Sequence, residues 1–105
     1  MPITVLAVDD DPFNLRLVST IFGKEGYRVI TAKSGMDALE RVNEIQPDLI
    51  LLDVNMPKMD GYQVCQELRR RKSTVQTPIL MLTAMDGLEE KIKAFEMGAD
   101  DFMTH

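Results

Sequence analysis

The chain has 105 residues, of which 45% are hydrophobic and 28% are charged, and its formal net charge is −5. This length predicts one domain with a single core, and the acidic balance argues against general affinity for nucleic acid or anionic membranes. The single cysteine, Cys65, excludes an internal disulfide, and the chain has neither an apolar run of ~20 residues nor a signal peptide, so we expect a cytoplasmic protein.

Short apolar runs alternate with helical patterns along the chain, which is typical of a parallel α/β sheet. The first strand is predicted at residues 3–8, and a helix follows it with Asp11 as its N-cap. Pro12 is suited to the first helical position because its missing N–H does no harm there. Gly26 is expected to end this helix, whose apolar stripe consists of Phe13, Leu17, Val18, Ile21 and Phe22.

The middle of the chain repeats this pattern. A second strand at residues 27–31 leads into a helix that Pro47 ends, and a third strand follows at residues 49–52. The third helix follows Gly61 and ends in the basic run "RRRK", residues 69–72. A basic run could indicate an anionic partner, but at the carboxyl end of a helix it also complements the helix dipole, which is the interpretation we favour.

The last part of the chain predicts a fourth strand at residues 79–82, a fourth helix between Asp86 and Gly98, and a short fifth strand near Phe102. The third and fourth strands show no polar alternation, as expected for strands that are covered on both faces. The predicted order is therefore βαβαβαβαβ, and no fifth helix follows Phe102.

Polar residues follow most of the predicted strands, at the point where each strand ends: Asp9 and Asp10 after the first, Asp53 after the third, Thr83 after the fourth and His105 after the fifth. In open parallel sheets, ligands bind at this edge. If the first and third strands are neighbours, the three aspartates converge on one crevice and repel one another unless a cation joins them. Oxygen ligands suit a hard divalent ion, so we expect Mg²⁺.

The alternative is that Asp9, Asp10 and Asp11 are loop and cap residues in solvent. Asp53 favours the metal site because it places a carboxylate directly after a second buried strand, whereas Asp11 belongs to the helix cap. An aspartate held beside Mg²⁺ can act as a nucleophile towards phosphorus. Thr83 could donate a hydrogen bond to the same phosphoryl group.

Four segments together resemble a response-regulator receiver domain of two-component signalling. They are "VDDDP" after the first strand, "LLDVNMPKMDGYQV" around the third, "PILMLTA" ending the fourth and "GADDFMTH" at the fifth. The resemblance covers nearly the whole chain. It implies a flavodoxin-like, doubly wound, five-stranded parallel sheet of order 2-1-3-4-5 over residues 1–105, and a signalling domain whose only chemistry is its own phosphorylation and hydrolysis.

The resemblance also implies a role for individual residues. Asp53 would accept phosphate from a sensor histidine kinase, a phosphotransfer protein or a small phosphodonor. Asp10, Asp53 and the backbone carbonyl of Asn55 would bind Mg²⁺, and Asp9 would support the metal through water.

Two further residues would transmit the signal. Thr83 would move to the phosphoryl group and Phe102 would turn inward behind it, which would remodel the surface formed by the fourth helix and the fifth strand.

The chain departs from the family at His105, where a lysine is usual. The long lysine ammonium pairs with the acceptor carboxylate and the phosphoryl oxygens, whereas histidine is shorter and only partly protonated at pH 7. If His105 is native, we expect weaker phosphorylation or weaker coupling to the switch. It could instead be a tag or truncation residue.

A second departure is the missing fifth helix. In the order 2-1-3-4-5, right-handed crossovers put the first helix on one face and the next three on the other, and the family's fifth helix joins the first. Its absence would leave an apolar strip beside the third, fourth and fifth strands. We therefore expect the chain to be a C-terminally truncated part of a longer product, or to self-associate through this strip.

Other functions are less well supported. A haloacid-dehalogenase-type phosphatase needs Gly and Thr after its aspartate pair, where this chain has Pro12 and Phe13. A flavodoxin-like flavin binder is rejected because three aspartates would repel the flavin phosphate. The main alternative is a phosphorylation-independent interaction module that keeps the receiver fold, which His105 and the missing helix favour.

Overall fold

The computed structural model describes residues 3–53, 56, 60–83 and 101–104, and at residues 82, 83 and 101–104 the description covers the backbone alone. The elements in these ranges follow in chain order: β1 (Thr4–Val8), α1 (Pro12–Lys24), β2 (Arg28–Ala32), α2 (Gly35–Glu44), β3 (Leu49–Asp53), α3 (Gly61–Arg70), β4 (Ile79–Thr83) and β5 (Asp101–Thr104). The predicted fourth helix lies outside the described residues. Within them, no helix is long and apolar enough to cross a bilayer.

The strands form a parallel sheet, so the predicted α/β class is confirmed. Strand β1 pairs with β2 on one side and with β3 on the other, and β4 pairs with the far side of β3. The backbone of β5 lies next to β4. The chain thus goes from β1 to one neighbour, β2, and then crosses to the other side of β1 to form β3. The carboxyl ends of β1 and β3 meet at the point where the strand order reverses.

Helices cover both faces of the sheet. The larger core lies between one face and helices α2 and α3, and its strand residues are at most 2% exposed: Leu6, Val8, Ala32, Ile50, Leu52, Ile79 and Met81. The opposite face carries Val5, Ala7 and Leu51, which are equally buried, and α1 packs against β1 and β2. Burial on both faces explains why these strands read as unbroken apolar runs.

Local signals set the ends of the helices. The Ser34 hydroxyl accepts a hydrogen bond from the amide of Asp37 at 3.1 Å and caps α2. Asp60 and Gln63 form a reciprocal capping box at the start of α3. After α1, Gly26 adopts a φ of 89°, a left-handed conformation that glycine reaches without strain, and the chain turns into β2.

Helix α1 carries two apolar rows, and one of them faces the sheet. Leu15 is buried, and Val18 and Phe22 are half-buried on the same side. The second row is 64%, 49% and 53% exposed: Phe13, Leu17 and Ile21. The predicted apolar stripe included members of both rows. It is wrong for the second row, whose side chains are exposed and do not contribute to the core. Both rows have helical spacing, so the sequence alone does not rank them.

The uncovered apolar strip expected beside the third, fourth and fifth strands stays a prediction, because the side chains at the carboxyl end of β4 and on β5 lie outside the description. Leu51, on the α1 side of β3, is 2% exposed, whereas Leu80, which lies opposite it on β4, is half-buried. Within the described ranges, a separate exposed apolar row lies on α1, over residues 13–21.

The basic run at the end of α3 holds the neighbouring loop in place. Arg69 donates through Nη1 to three carbonyl oxygens, those of Thr74, Val75 and Thr77, at 3.1, 3.0 and 2.7 Å. Arg71 donates to the carbonyl oxygen of Leu39 at 3.2 Å and to Asn43 Oδ1 at 2.9 Å, which ties α3 to α2. These two arginines therefore bind the protein's own acceptors.

Arg70 contrasts with its neighbours. Its side chain is 66% exposed, and its guanidinium pairs with the Glu67 carboxylate one turn earlier at 2.8 Å. An exposed pair of this kind contributes little to stability.

We predict that Arg69→Lys lowers the free energy of unfolding by about 1–2 kcal/mol, because a single ammonium cannot reproduce the guanidinium contacts to the loop carbonyls. Arg70→Lys is the matched control and should stay within about 0.5 kcal/mol of the parent. Urea unfolding followed by circular dichroism measures both. Equal midpoints for the two variants would contradict the role of Arg69.

Candidate functional site

Parallel pairing brings the ends of β1 and β3 together. Val8 lies opposite Leu52 in the register, so the next residues along the two strands, Asp9 and Asp53, reach the same edge. Both residues are 6% exposed, and Asp10 beside them is exposed. One carboxylate oxygen from each of these three aspartates lies within 4.8 Å of the others. The structure therefore brings together the three acidic residues that the sequence placed at strand ends.

Backbone contacts hold Asp9 in this cluster. Its amide donates to the carbonyl oxygen of Ala32 at the end of β2, at 3.1 Å. Its Oδ1 accepts a hydrogen bond from the amide of Asp11 at 3.0 Å. This contact closes an Asx-turn, in which an aspartate side chain binds the backbone two residues further on. The Asp9 carboxylate is thus oriented by the chain that immediately follows it.

Helix α1 begins directly after this turn. The Asp11 side chain accepts from the amide of Phe13 at 2.9 Å, and Pro12 occupies the first turn, so the predicted N-cap and proline position are confirmed. Asp11 has φ −93° and ψ 112°, an extended conformation. A following proline favours this conformation because its ring clashes with a helical residue before it.

The composition of the cluster decides which ligand it suits. Carboxylates near one another repel, and burial removes much of the water that would screen them. A hard divalent cation such as Mg²⁺ prefers oxygen ligands, uses one or two carboxylates and keeps several waters. The oxygen-only set of Asp9, Asp10 and Asp53, part buried and part exposed, fits such an ion with room for water on the exposed side.

The remaining predicted site residues fall at the same edge or outside the description. Thr83 is the last residue of β4, one step beyond the residue that pairs with Asp53, and its backbone lies opposite Thr104. Phe102 lies in β5 opposite Met81. Asn55 and His105 lie outside the described residues.

The sequence did not reveal the two backbone groups that orient Asp9. The amide of Asp11 was assigned no role, although aspartate side chains commonly accept a hydrogen bond from the backbone two residues further on. The carbonyl of Ala32 depends on the pairing of β1 with β2, and no local pattern could indicate it.

Comparison with known proteins supports one family. The family model of the response regulator receiver domain matches residues 5–105. Among curated relatives, the DNA-binding dual master transcriptional regulator RpaA of Synechocystis is 45% identical over 95% of this chain and 42% of its own length. The alkaline phosphatase synthesis transcriptional regulatory protein PhoP of Bacillus subtilis is 46% identical over 95% of this chain and 41% of its own. The chain thus spans less than half the length of these two relatives.

Solved structures agree in fold. The chemotaxis protein CheY4 of Vibrio cholerae superposes with a TM-score of 0.96 at 36% identity, covering 99% of this chain and 87% of its own. A putative response regulator from Chloroflexus aurantiacus gives a TM-score of 0.94 at 38% identity, covering 99% and 85%. With the acidic cluster at the carboxyl edge of the sheet, these matches show that the chain belongs to the response regulator receiver domain family.

Proposed function

We propose that this domain accepts a phosphoryl group on Asp53, with Mg²⁺ held by Asp9, Asp10 and Asp53. The observation that carries the proposal is the position of the Asp53 carboxylate. It is 6% exposed at the end of β3, with oxygens of two further aspartates within 4.8 Å. A single carboxylate at a strand end has many uses, but three on one edge form a binding site for a cation and, through it, for a phosphoryl group.

The proposed reaction is a direct phosphoryl transfer. A carboxylate oxygen of Asp53 attacks phosphorus and forms a new O–P bond, while the N–P bond of a donor phosphohistidine breaks and its electron pair returns to the imidazole. With a small donor such as acetyl phosphate, an O–P bond breaks and acetate leaves. When bound, Mg²⁺ would neutralise charge on the transferred phosphoryl oxygens.

The protein's own groups perform the positioning. Asp53 is fixed by its strand, and the Asp9 carboxylate is fixed by its contact with the amide of Asp11. Asp10 is exposed and would reach the cation from the solvent side. The backbone carbonyl of Asn55 is the fourth proposed ligand, which the family resemblance suggests.

We further propose that the complete domain is a five-stranded, doubly wound sheet of order 2-1-3-4-5. Phosphorylation would change its surface through two residues. Thr83 would approach the phosphoryl group and Phe102 would turn inward, which would alter the surface formed by the fourth helix and β5. Backbone pairing supports this proposal. Residue 83 lies one step beyond the strand partner of Asp53, and residue 102 lies on the neighbouring strand opposite Met81, two positions before residue 83.

The proposed partners are proteins. A sensor histidine kinase or a phosphotransfer protein would supply the phosphoryl group. The net charge of −5 argues against direct nucleic acid binding by this segment. The relatives RpaA and PhoP carry names of transcriptional regulators, so we propose a cytoplasmic role in which this domain controls the output of a response regulator through protein contacts.

The metal proposal predicts that Asp10→Asn changes the melting temperature, relative to the parent, in opposite directions without and with Mg²⁺. We expect Mg²⁺ to raise the melting temperature of the parent, since a ligand that binds only the folded state stabilises it. Asp10→Asn should raise the melting temperature without metal, because one repelling charge is lost, and should abolish most of the Mg²⁺-induced rise. Differential scanning calorimetry at constant ionic strength, with NaCl replacing MgCl₂, measures both changes. An equal Mg²⁺-induced rise in parent and variant would exclude the site.

The phosphoacceptor proposal predicts a change in mass. Incubation with acetyl phosphate and Mg²⁺ should add one phosphoryl group to the parent and none to Asp53→Asn, as read by intact mass measurement. Asp48→Asn is the matched control, because Asp48 immediately precedes the same strand at its opposite end, where it accepts from the amide of Thr4 at 2.8 Å. This control should be phosphorylated like the parent.

Failure of the parent to gain mass, with acetyl phosphate or with a histidine kinase, would favour the phosphorylation-independent interaction module.

His105 provides a third test. We predict that His105→Lys raises the phosphorylated fraction at a fixed acetyl phosphate concentration, because a permanently charged ammonium stabilises the phosphoryl oxygens better than a partly protonated imidazole. His105→Gln, which is uncharged, should not. Mass measurement over a time course reports both variants, and an unchanged fraction in His105→Lys would show that position 105 does not limit the reaction.

A further inference from the structure

The third aspartate of the N-terminal triplet has no role in the proposed reaction. Asp11 is exposed, and its carboxylate is not part of the metal-binding group, which consists of Asp9, Asp10 and Asp53. Its contacts nevertheless join that group to helix α1. We propose that Asp11 is a positioning residue for the cation site: by capping α1 it keeps the carboxylates of Asp9 and Asp10 available to the metal. This inference rests on the proposed function.

Three hydrogen bonds fix Asp11 on both sides. Its amide donates to Asp9 Oδ1 at 3.0 Å, its Oδ1 accepts from the amide of Phe13 at 2.9 Å, and its carbonyl accepts from the amide of Leu15 at 3.1 Å. Rotation of Asp11 about either backbone angle would break at least one of these contacts. The orientation of the Asp9 carboxylate is therefore coupled to the first turn of α1.

The sequence creates a competition that this arrangement resolves. Aspartate is among the best N-cap residues, so Asp9, Asp10 and Asp11 are all chemically able to cap the helix. An aspartate that caps uses a carboxylate oxygen on a helix amide and turns it away from a cation. The chain therefore needs Asp11, and not its two neighbours, to be the cap.

Pro12 favours the same choice. The residue before a proline is disfavoured in the helical conformation, and Asp11 is extended, with φ −93° and ψ 112°. Backward growth of the helix by one residue, with its cap at Asp10, is consequently disfavoured. Pro12 and the Asp11 side chain act together to fix the first helical residue, and the acidic turn before it keeps its shape.

Charge and capping make different predictions for substitutions. If Asp11 acted as a distant negative charge, any neutral residue would weaken cation binding. If it acts as a cap, Asn should replace it, because Asn caps about as well as Asp, whereas Ala should not. We expect Asp11→Asn to bind Mg²⁺ within about twofold of the parent, and Asp11→Ala to bind about fivefold more weakly, since part of its population adopts a turn that cannot bind.

The experiment measures the Mg²⁺ dissociation constant by isothermal titration calorimetry, and the Mg²⁺-induced rise in melting temperature, in the parent and both variants. Ser34→Ala is the matched control for lost capping. It removes the cap of α2, a 3.1 Å bond to the amide of Asp37, and should lower stability without changing the dissociation constant. If Asp11→Ala does not fold, Pro12→Ala tests the same fixed helix start, and it should also weaken Mg²⁺ binding.

Each outcome has a distinct meaning. Parent-like Mg²⁺ binding by Asp11→Ala would overturn the inference, and so would equal weakening in the Asn and Ala variants, which would indicate charge alone. Weakening in Ser34→Ala would also overturn it, because a general loss of stability would then explain the effect. Absence of Mg²⁺ binding in the parent would instead refute the proposed function.

Discussion

The site depends on the parallel pairing of β1 with β3. This pairing sets Val8 opposite Leu52, and the two following carboxylates must then emerge at the same edge, although Asp9 and Asp53 are 44 positions apart in the sequence. A shift of one residue in the register would send every side chain of one strand to the opposite face. The apolar residues before each aspartate would then lose their cores, so the packing that stabilises the sheet also fixes the site.

Helix α1 imposes a second constraint on the same few residues. The chain must leave β1, supply two carboxylates to a shared site and start a helix within four residues, 9–12. The third aspartate and the proline divide these tasks, because one side chain caps the helix and the proline ring prevents an earlier start. Apparent redundancy in "DDDP" is therefore a division of roles between adjacent residues.

Much of this architecture could be predicted, and the exceptions have physical causes. The end of β1 at Val8 follows from an apolar run that stops at charged residues, and the end of β3 was predicted to within one residue, at position 52 and not at Asp53. The Asp11 cap follows from local chemistry. The exposed row of α1, represented by Leu17, was not predicted, because its spacing equals that of the buried row and only the position of the sheet separates them. The loop contacts of Arg69 were also not predicted, since they depend on where three carbonyls lie after folding.

The apolar strands also explain how the acidic edge is tolerated. The oxygens of the cluster lie within 4.8 Å of one another, and two unit charges at that limit repel by about 3.5 kcal/mol at an effective dielectric constant of about 20. Complete burial of one Leu or Ile side chain contributes about 1.5–3 kcal/mol, and Leu6 of β1 and Ile50 and Leu52 of β3 are all fully buried. The hydrophobic pairing of β1 with β3 can therefore offset the repulsion in the absence of a cation. Because the repulsion remains in the folded state, it is available as a driving force for binding one.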